Sequence, residues 1–531
     1  MDIRPLDEAL SASPQIAPED LPAIAAQGFR SVISNRPDGE EPGQPSAEDL
    51  RQAAEAAGLA FAHVPVVGGA ISDQDVADFR EALANLPQPV FGFCRTGTRT
   101  TTLSRIMSAQ YAPLESCDVL IVGGGSAGIA TAASLLRRRP GLDVRIVEPS
   151  EHHYYQPGWT MVGAGVFTPE RTRRRTEDLI PRGAQWVRGS VAAFDPIHDR
   201  VELTDGRWIG YRMLVAAPGL KLDWGAIPGL AETLGRNNVT SNYGYETAPY
   251  TWKLVQAMKS GRAIFTQPPM PIKCAGAPQK AMYLSADHWR DHGRNDIEIE
   301  FHNAGPVLFG VKDYVPALME YVRKYRIDLN FGSKLVAVDG PARTATFAVT
   351  NAEGEVSQVR REFDFLHVCP PQTAPDVIRE SPLAAESGWI EVDDATLRHK
   401  RFENVFGLGD ACSAPNAKTA AAARKQAPVV AENILSLLDG QPMRAVYDGY
   451  GSCPLTVERG KIVLAEFGYG GKLLPSFPKW MLDGTKPTRL AWHLKAQALP
   501  EIYWLGMLRG REWLAGPHHI EPAPQLRPAV A

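Results

Sequence analysis

Three glycines in the sequence are spaced as a dinucleotide-binding loop requires. Gly123, Gly125 and Gly128 form a G-x-G-x-x-G pattern between the strand-like DVLIV and the helix-like SAGIATAASLL. In this pattern the first glycine makes a tight turn, the second lets the backbone approach a pyrophosphate, and the third lets the helix pack on the strand. Glu148 ends the next predicted strand, where an acidic residue binds ribose hydroxyls. The spacing therefore predicts a dinucleotide site.

Two later segments resemble the remaining signatures of the FAD-dependent disulfide-reductase superfamily, and they favour FAD over NAD. The segment LVAAPG ends at Gly219, and FENVFGLGD contains Gly409 and Asp410. The resemblance implies that Gly219 and Gly409 belong to the FAD site and that Asp410 binds the ribityl chain. It also implies that the following helix, expected to start near Asn416, points its N-terminus at the flavin and stabilises negative charge there.

Two cysteines lie where strands are expected to end. The strand RAIFTQ runs into PPMPIKCAGAPQ, which holds Cys274 among prolines in place of a second glycine-rich loop for NAD(P)H. Proline has no N–H for a phosphate, so the electrons are not expected to come from NADH. Cys369 follows another strand, in HVCPPQTAP. Such junctions gather active-site residues in α/β folds, although a lone cysteine is more often a small buried apolar residue.

The segments around these cysteines resemble sulfide:quinone oxidoreductases, specifically the branch with the mitochondrial enzymes. The resemblance runs from 117 to about 516 and includes PIKCAGAPQKAMYLSADHW, HVCPPQTAPDVI, GLGDACSAPNAKTAAAARKQAP and SCPLTVERGKIVLAEF. It implies a disulfide or trisulfide between Cys274 and Cys369 that hydrogen sulfide opens. A persulfide would form on Cys369, Cys274 would pass two electrons to FAD, and a membrane quinone would accept them. A small thiol or sulfite would take the sulfur.

Two lysines are candidates for the positive charge that thiolate chemistry needs, and a third has a different expected role. Lys273 or Lys280 would lower the pKa of Cys274, although each, taken alone, is more often a solvated charge. Lys418 matches a family lysine near the flavin, which implies an electrostatic or quinone-side role. The remaining cysteines are given no chemical role: Cys117, Cys412 and Cys453.

A further cysteine precedes an arginine near the N-terminus, in PVFGFCRTGTRTTTLSRI. Cys94 follows a strand and Arg99 ends the loop, so backbone amides and the guanidinium would form an anion cradle. The C-x4-R spacing is that of rhodanese, since a tyrosine phosphatase would need arginine at Thr100. The segment resembles the phosphatase-like domain called beta-lactamase-hydrolase-like. We expect Cys94 to relay sulfur from Cys369, with phosphatase activity or a structural role as alternatives.

The stretch 472–513 mixes basic and aromatic residues, a pattern typical of a monotopic membrane anchor. A hairpin packed on the protein's own core, or a dimer interface, is the alternative, and a homo-oligomer stays open. The N-terminus lacks the features of a signal peptide, so we expect a peripheral protein on the cytoplasmic side of the inner membrane. The basic residues of the stretch are Lys472, Lys479, Lys486, Arg489, Lys495, Arg509 and Arg511.

These features must be positioned by an α/β fold with about three domains, given 531 residues. We predict a phosphatase-like domain over 1–110, a linker over 111–116, and two Rossmann-like domains, one inserted in the other. The FAD-binding domain spans 117–222 and 360–455, the insertion carrying Cys274 spans 223–359, and a quinone- and membrane-facing region spans 456–531. A net charge of -4 argues against nucleic acid as a partner, and no metal site is predicted.

Two other functions fit parts of the sequence. One is a type II NADH:quinone dehydrogenase, which the missing NAD loop and the two cysteines disfavour. The other is a phosphatase-like signalling domain on a redox-sensing flavin module.

Overall fold

The computed structural model describes residues 2–7, 9–111 and 115–520. The chain forms two compact units, Met1–Leu114 and Glu115–Ala531. Of the predicted linker 111–116, Tyr111 ends a helix and residues 115 and 116 belong to a strand that starts at Glu115, while residues 112–114 lie outside the described residues.

The first unit is a five-stranded sheet with helices, as its alternating sequence predicts. The sheet order is β1-β2-β5-β3-β4, and all pairs except β1 with β2 are parallel. The side chains of Ser46 and Ser72 each accept the amide N–H three residues later, so each serine forms a capping box at the start of its helix. The strands are β1 Arg4–Pro5, β2 Leu10–Ser13, β3 Ser31–Ser34, β4 Ala60–His63 and β5 Val90–Phe93; the helices are α1 Leu21–Ala26, α2 Ala47–Ala56, α3 Asp73–Asn85 and α4 Thr98–Tyr111.

The second unit starts with a sheet in the order β10-β7-β6-β13-β12-β11, and a later strand, β24, also pairs with β13. Strands β10, β7, β6, β13 and β24 are parallel, as in a dinucleotide-binding fold. The first elements are β6 Glu115–Val122, α5 Ser126–Arg138, β7 Val144–Val147, β8 His152–Tyr154, α6 Trp159–Val162, β9 Arg173–Arg175, β10 Ala184–Val187, β11 Val191–Asp195, β12 Arg200–Leu203 and β13 Trp208–Ala216.

A second parallel sheet has the order β15-β22-β16-β17-β18. Between β18 and β22 the chain forms a separate antiparallel sheet of β19, β20 and β21. The elements up to the end of this insertion are β14 Lys221–Leu222, α7 Leu230–Thr233, β15 Val239–Thr240, α8 Ala248–Ala257, β16 Gly261–Gln267, α9 Ala277–Asp291, β17 Ile297–Asn303, α10 Val315–Tyr325, β18 Ile327–Phe331, β19 Ser333–Asp339, β20 Thr344–Thr350, β21 Val356–Glu362 and β22 Phe365–His367.

The chain then returns to the first sheet through β24 and ends in a hairpin and a helical segment. The remaining elements are β23 Gln372–Thr373, α11 Asp376–Arg379, β24 Val405–Gly407, α12 Ala420–Leu438, β25 Ala445–Val446, β26 Gly451–Glu458, β27 Lys461–Phe467, α13 Arg489–His493, α14 Leu499–Glu501 and β28 His518–His519. The helix expected near Asn416 is α12, and it begins at Ala420.

Two predicted domain boundaries differ from this arrangement. Strand β22 was assigned to the FAD-binding part, 360–455, but it pairs with β15 and β16 of the inserted sheet. Strand β26 crosses the predicted boundary at 455. Strand pairing depends on residues far apart in sequence, so a strand's own residues do not tell which of two parallel sheets it joins.

Candidate active site

The glycine-rich loop has the shape that a bound pyrophosphate requires. Gly123 has φ +104, and a Cβ there would lie 2.4 Å from the Ala217 carbonyl oxygen. A Cβ on Gly128 would lie 1.9 Å from the Gly123 carbonyl oxygen, so α5 packs directly on the loop. A Cβ on Gly125 would meet nothing within 4 Å. The first and third glycines are therefore required by packing, and the second leaves open space where a phosphate would approach.

Glu148 lies beside this loop and accepts a hydrogen bond from it. Its Oε2 accepts the Gly124 N–H at 2.7 Å and its Oε1 accepts the Ser150 N–H at 2.8 Å. Burial raises the pKa of the Glu148 carboxyl despite these two bonds. An ionised carboxylate has about four acceptor positions, so acceptor capacity remains for ribose hydroxyls.

Gly219 and Gly409 follow strands that neighbour β6 in the sheet. Strands β6, β13 and β24 are adjacent and parallel, so their following loops meet at one edge. Gly219 has φ +78 and Gly409 has φ +72, and a Cβ on Gly409 would lie 3.0 Å from the Cβ of Ala127 in α5. Asp410 is therefore held beside the pyrophosphate loop, and burial raises the pKa of its carboxyl. These residues fit a flavin dinucleotide.

Lys418 is buried and turned toward the Asp410 loop. Its Nζ donates to the carbonyl oxygens of Asp410 and Cys412, both at 2.9 Å, and lies 3.9 Å from the centroid of the Trp389 ring. Burial lowers the pKa of this amine. The backbone carbonyl oxygen of Lys418 accepts the N–H of Cys274 at 2.8 Å. These contacts are those of a residue that positions two loops, and its electrostatic or quinone-side role stays a prediction.

Cys274 lies in the loop between β16 and α9, and its nearest sulfur neighbour is Cys453. The two Sγ atoms are 3.3 Å apart, and Lys280 Nζ donates to Cys274 Sγ at 3.0 Å. Cys453 comes from β26, which packs so closely that a Cβ on Gly276 would lie 2.6 Å from its sulfur. Cys274 itself has φ +51. The structure thus brings a thiol that the sequence left without a role into the predicted site.

The charges at this centre favour one thiolate beside one thiol. Hydrogen bonding from Cys453 and the Lys280 ammonium outweigh burial and hold the pKa of Cys274 well below its usual value. The same hydrogen bond, burial and the Cys274 charge raise the pKa of Cys453. Burial opposes the charge of Lys280, but the neighbouring sulfurs raise its pKa. The Cys453 S–H therefore donates to the Cys274 thiolate.

A second lysine reaches this region from the C-terminal stretch. Lys495 is 3% exposed, and its Nζ donates to the Pro157 carbonyl oxygen at 3.1 Å. Burial and the charge of Lys280 lower the pKa of Lys495 to about 7. The sequence predicts Lys495 in a basic stretch that faces the membrane, but its side chain is buried. Alternating charge and aromatic residues did not show which side of the helical segment faces inward.

Cys369 is buried next to Cys274, but its sulfur has different partners. It follows β22, its N–H donates to Thr266 Oγ1 at 3.3 Å, and Gln372 Nε2 donates to its sulfur at 3.7 Å. Burial raises its pKa to about 12. Cys274 packs against the apolar cluster that contains Cys369. The sulfur contact of Cys274 is nevertheless with Cys453, which differs from the predicted pairing.

Much of the predicted membrane-facing stretch is core. Leu482 packs against β27 of the β26–β27 hairpin, and another group joins the core around the first sheet of the second unit. That group is Tyr503, Trp504, Met507 and Leu508. The alternative of packing on the protein's own core is thus correct for these residues. Among the described residues, no helix is both long and apolar enough to cross a membrane.

In the first unit, Cys94 lies in the expected loop after β5. Its sulfur accepts the N–H groups of Gly97 at 3.1 Å and Arg99 at 3.3 Å. Arg99 pairs with Glu40 at 2.6 Å, while its Nη1 is buried and has no hydrogen-bond partner within the described part of the chain. Helix α4 begins at Thr98, earlier than the expected Thr100. The cradle therefore forms, with a carboxylate on its arginine.

The fold and site define a disulfide-oxidoreductase flavoprotein joined to a second, small domain. Residues 117–259 match the family Pyridine nucleotide-disulphide oxidoreductase, and residues 2–111 match Beta-lactamase hydrolase-like protein, phosphatase-like domain. The mitochondrial sulfide:quinone oxidoreductase of Dictyostelium discoideum is 41% identical over 397 residues, which cover 74% of this chain and 86% of that protein. The chain belongs to the sulfide:quinone oxidoreductase family.

Two further comparisons concern the fold and the first unit. The X-ray structure of the sulfide:quinone oxidoreductase from Aquifex aeolicus has a TM-score of 0.62 at 18% identity and covers 75% of this chain and 92% of that one. The Beta-lactamase hydrolase-like protein of Agrobacterium fabrum is 39% identical over 114 residues, 22% of this chain and 26% of that protein. The chain thus spans about a quarter of that relative's length.

Proposed function

We propose that this protein oxidises hydrogen sulfide at a Cys274–Cys453 pair and reduces a membrane quinone through FAD. The sulfur–sulfur contact of 3.3 Å beside Lys280 carries the proposal. An S–S bond is about 2.05 Å long, so a small movement would close a disulfide, and one bridging sulfur with two bent bonds would span about the observed distance. The resemblance implies Cys369 as the partner of Cys274, but the contact between the Cys274 and Cys453 sulfurs favours Cys453.

The residues would act in the following order. Hydrosulfide attacks the sulfur of Cys453 in the oxidised pair, the bond to Cys274 breaks, and its electron pair leaves on Cys274. Lys280 stabilises this thiolate by its charge. A small thiolate or sulfite then takes the terminal sulfur from the Cys453 persulfide, which leaves a second thiolate. Re-forming the Cys274–Cys453 bond releases two electrons, so hydrosulfide and acceptor together lose two electrons and one proton, in addition to the proton that hydrogen sulfide loses when it forms hydrosulfide.

Other groups around the centre would hold the cofactor and move the proton. FAD, when bound, accepts a pair of electrons and passes them to quinone. The loop at Gly125, with Glu148 and Asp410, would hold its pyrophosphate, ribose and ribityl parts. Lys495, with its pKa lowered to about 7 by burial and the charge of Lys280, would take the proton of hydrogen sulfide at Nζ.

An anaerobic titration tests the reaction. Sulfide should bleach the flavin absorbance of the purified protein, NADH should leave it unchanged, and a soluble quinone should restore it. Cys274→Ser should block bleaching by sulfide. Flavin that NADH reduces and sulfide does not would contradict the proposal and favour an NADH:quinone dehydrogenase.

The exposed apolar residues of the C-terminal stretch support a membrane surface as the route for quinone. Trp480 is 86% exposed, Leu514 is 72% and Leu505 is 53%, with the basic Lys479 and Lys486 near Trp480 in sequence. Aromatic and basic side chains favour the lipid headgroup region. Sedimentation with anionic vesicles should be weakened in Trp480→Ser, and equal sedimentation would contradict a lipid contact there. The side of the membrane stays a prediction.

The two amide bonds to its sulfur favour Cys94 as a second sulfur site. We propose that Cys94 takes the terminal sulfur from the persulfide and passes it to a small thiol or sulfite; each step exchanges one thiolate for another. A tether raises the local concentration of the two centres to roughly millimolar. Cys94→Ser should slow formation of the acceptor's persulfide or thiosulfate without slowing flavin reduction. An unchanged product rate would exclude the relay, and release of phosphate from an aryl phosphate would instead indicate phosphatase activity.

A further inference from the structure

A chain of hydrogen bonds joins the C-terminal helical segment to the glycine-rich loop. The Tyr503 hydroxyl lies 2.7 Å from Ser126 Oγ and 2.5 Å from His153 Nε2. His153 Nδ1 lies 3.1 Å from the carbonyl oxygen of Gly124. Ser126 is the first residue of α5 and Gly124 lies inside the loop, so both ends of the chain reach the predicted pyrophosphate site.

The chemistry of the partners fixes the direction of each bond. The Gly124 carbonyl only accepts, so His153 donates from Nδ1 and, being neutral, accepts at Nε2. The neutral form is favoured because burial lowers the pKa of His153 to about 4. The single Tyr503 proton therefore goes to His153, and Ser126 donates to the Tyr503 oxygen. These directions are the only ones in which Ser126, Tyr503, His153 and the Gly124 carbonyl all form their hydrogen bonds to one another.

The same C-terminal segment also holds the rest of α5. Gly510 packs so closely on this helix that a Cβ there would lie 2.6 Å from the Ala133 carbonyl oxygen. Glu512 Oε1 accepts from Ser134 Oγ at 2.7 Å and from Arg138 Nη1 at 2.5 Å. The segment thus contacts the helix near its start, its middle and its end.

We infer that Tyr503 is a positioning residue for the FAD pyrophosphate loop, acting through Ser126 and His153. The inference rests on the proposed FAD site and gives the C-terminal helical segment a further role, beside the proposed proton uptake by Lys495 and the proposed lipid contact. A helix start binds phosphate with free N–H groups whose directions depend on the loop conformation. Fixing Ser126 and Gly124 from outside the loop keeps these donors in place before the cofactor arrives.

The test is the rate of FAD release, which needs neither sulfide nor quinone. Tyr503→Phe keeps the ring but leaves His153 Nε2 without its donor. FAD release, followed by the rise in flavin fluorescence after dilution, should be about tenfold faster, which is about 1.4 kcal/mol and within the cost of an unpaired buried acceptor. The unfolding midpoint of the apoprotein, measured alongside, would fall without this kinetic change if the role were only structural.

A matched control and a double variant separate the two roles. Tyr325→Phe, at the end of α10 in the inserted domain, removes a buried hydroxyl that lies 2.8 Å from Asp287 Oδ1 and 3.2 Å from the carbonyl oxygen of Val457 in β26, and it should leave FAD release unchanged. The double variant Ser126→Ala with Tyr503→Phe should also release FAD faster than the wild type, but the two substitutions remove the same bond between Ser126 and Tyr503, so their free-energy effects should not add. The combined effect should be smaller than their sum.

The outcomes are distinct. Equal FAD release in Tyr503→Phe, Tyr325→Phe and the wild type, or strictly additive effects of the Ser126 and Tyr503 variants, would overturn the inference and leave the proposed function intact. A wild-type protein that binds no flavin would overturn both.

Discussion

The two cysteine centres of this protein stabilise sulfur in different ways. Cys274 has a lysine ammonium at 3.0 Å and a second thiol at 3.3 Å. Cys94 has two backbone amides on its sulfur and an arginine already paired with Glu40. A full positive charge suits a thiolate that must leave a sulfur–sulfur bond, while an amide cradle suits a small anion that is only held and passed on. In the proposed function, the cysteine sulfur of each unit therefore takes part in a different step.

Exchanging the partner of Cys274 should have the largest effect. Cys453→Ser removes the sulfur in contact with Cys274, whereas Cys369→Ser removes a buried neighbour. We expect sulfide-driven flavin reduction to fall by on the order of 10³ in Cys453→Ser, as for loss of a covalent partner, and by much less in Cys369→Ser. Stopped-flow absorbance measures both. A larger loss of rate in Cys369→Ser than in Cys453→Ser would show that Cys369, and not Cys453, is the redox partner of Cys274.

Removing the Lys280 ammonium beside Cys274 should have the second largest effect. Lys280→Met should raise the pKa of Cys274 and slow flavin reduction about tenfold to hundredfold, since hydrogen bonds to charged groups contribute about 1.5–3 kcal/mol. The pH dependence of Cys274 alkylation should shift upward, and Lys280→Arg should recover part of the loss. An unshifted alkylation profile would show that Cys453 alone stabilises the thiolate.

The proton acceptor should show in the pH profile. Burial and the charge of Lys280 lower the pKa of Lys495 to about 7, so its amine is neutral and able to accept a proton above that pH. The rate of flavin reduction should rise through pH 7, and Lys495→Met should lower the rate about tenfold at pH 8 and keep only the rise that hydrosulfide formed in solution produces. This is less than general bases usually contribute, because hydrosulfide already formed in solution does not need it. Lys486→Met, at an exposed site, should keep the wild-type profile.

The smallest effect should come from the second centre. Glu40→Gln weakens the carboxylate's hold on Arg99, so sulfite should protect Cys94 from alkylation about threefold better, in keeping with a partly exposed ion pair of roughly 0.2–1 kcal/mol. Glu41→Gln is the control, since Glu41 pairs with Arg36 and Arg95. Protection is read at Cys94 by peptide mass spectrometry. Equal protection in both variants would show that Glu40 does not limit anion binding.

Local patterns were sufficient for the dinucleotide loop and for the Cys94 loop. In both, the residues are near in sequence and the turn between a strand and a helix is set by glycine and backbone geometry. Local patterns do not predict the partner of Cys274, because Cys453 is 179 residues away in sequence and lies on a hairpin that packs against the start of α9. The strand before Cys369 carried the same end-of-strand pattern without the same contact.

The α/β class, the glycine-rich loop, the absence of a second glycine-rich loop and the candidate cysteines Cys94, Cys274 and Cys369 follow from residue types and their spacing. Only the tertiary structure decided which sulfur Cys274 meets, that Lys495 is buried beside it, and that Tyr503 reaches the nucleotide loop. The physical reason is that hydrogen bonds, thiolate charge and lysine pKa values depend on distances of a few ångströms between elements far apart in the chain. Residue types and spacing along one strand or helix do not specify those distances.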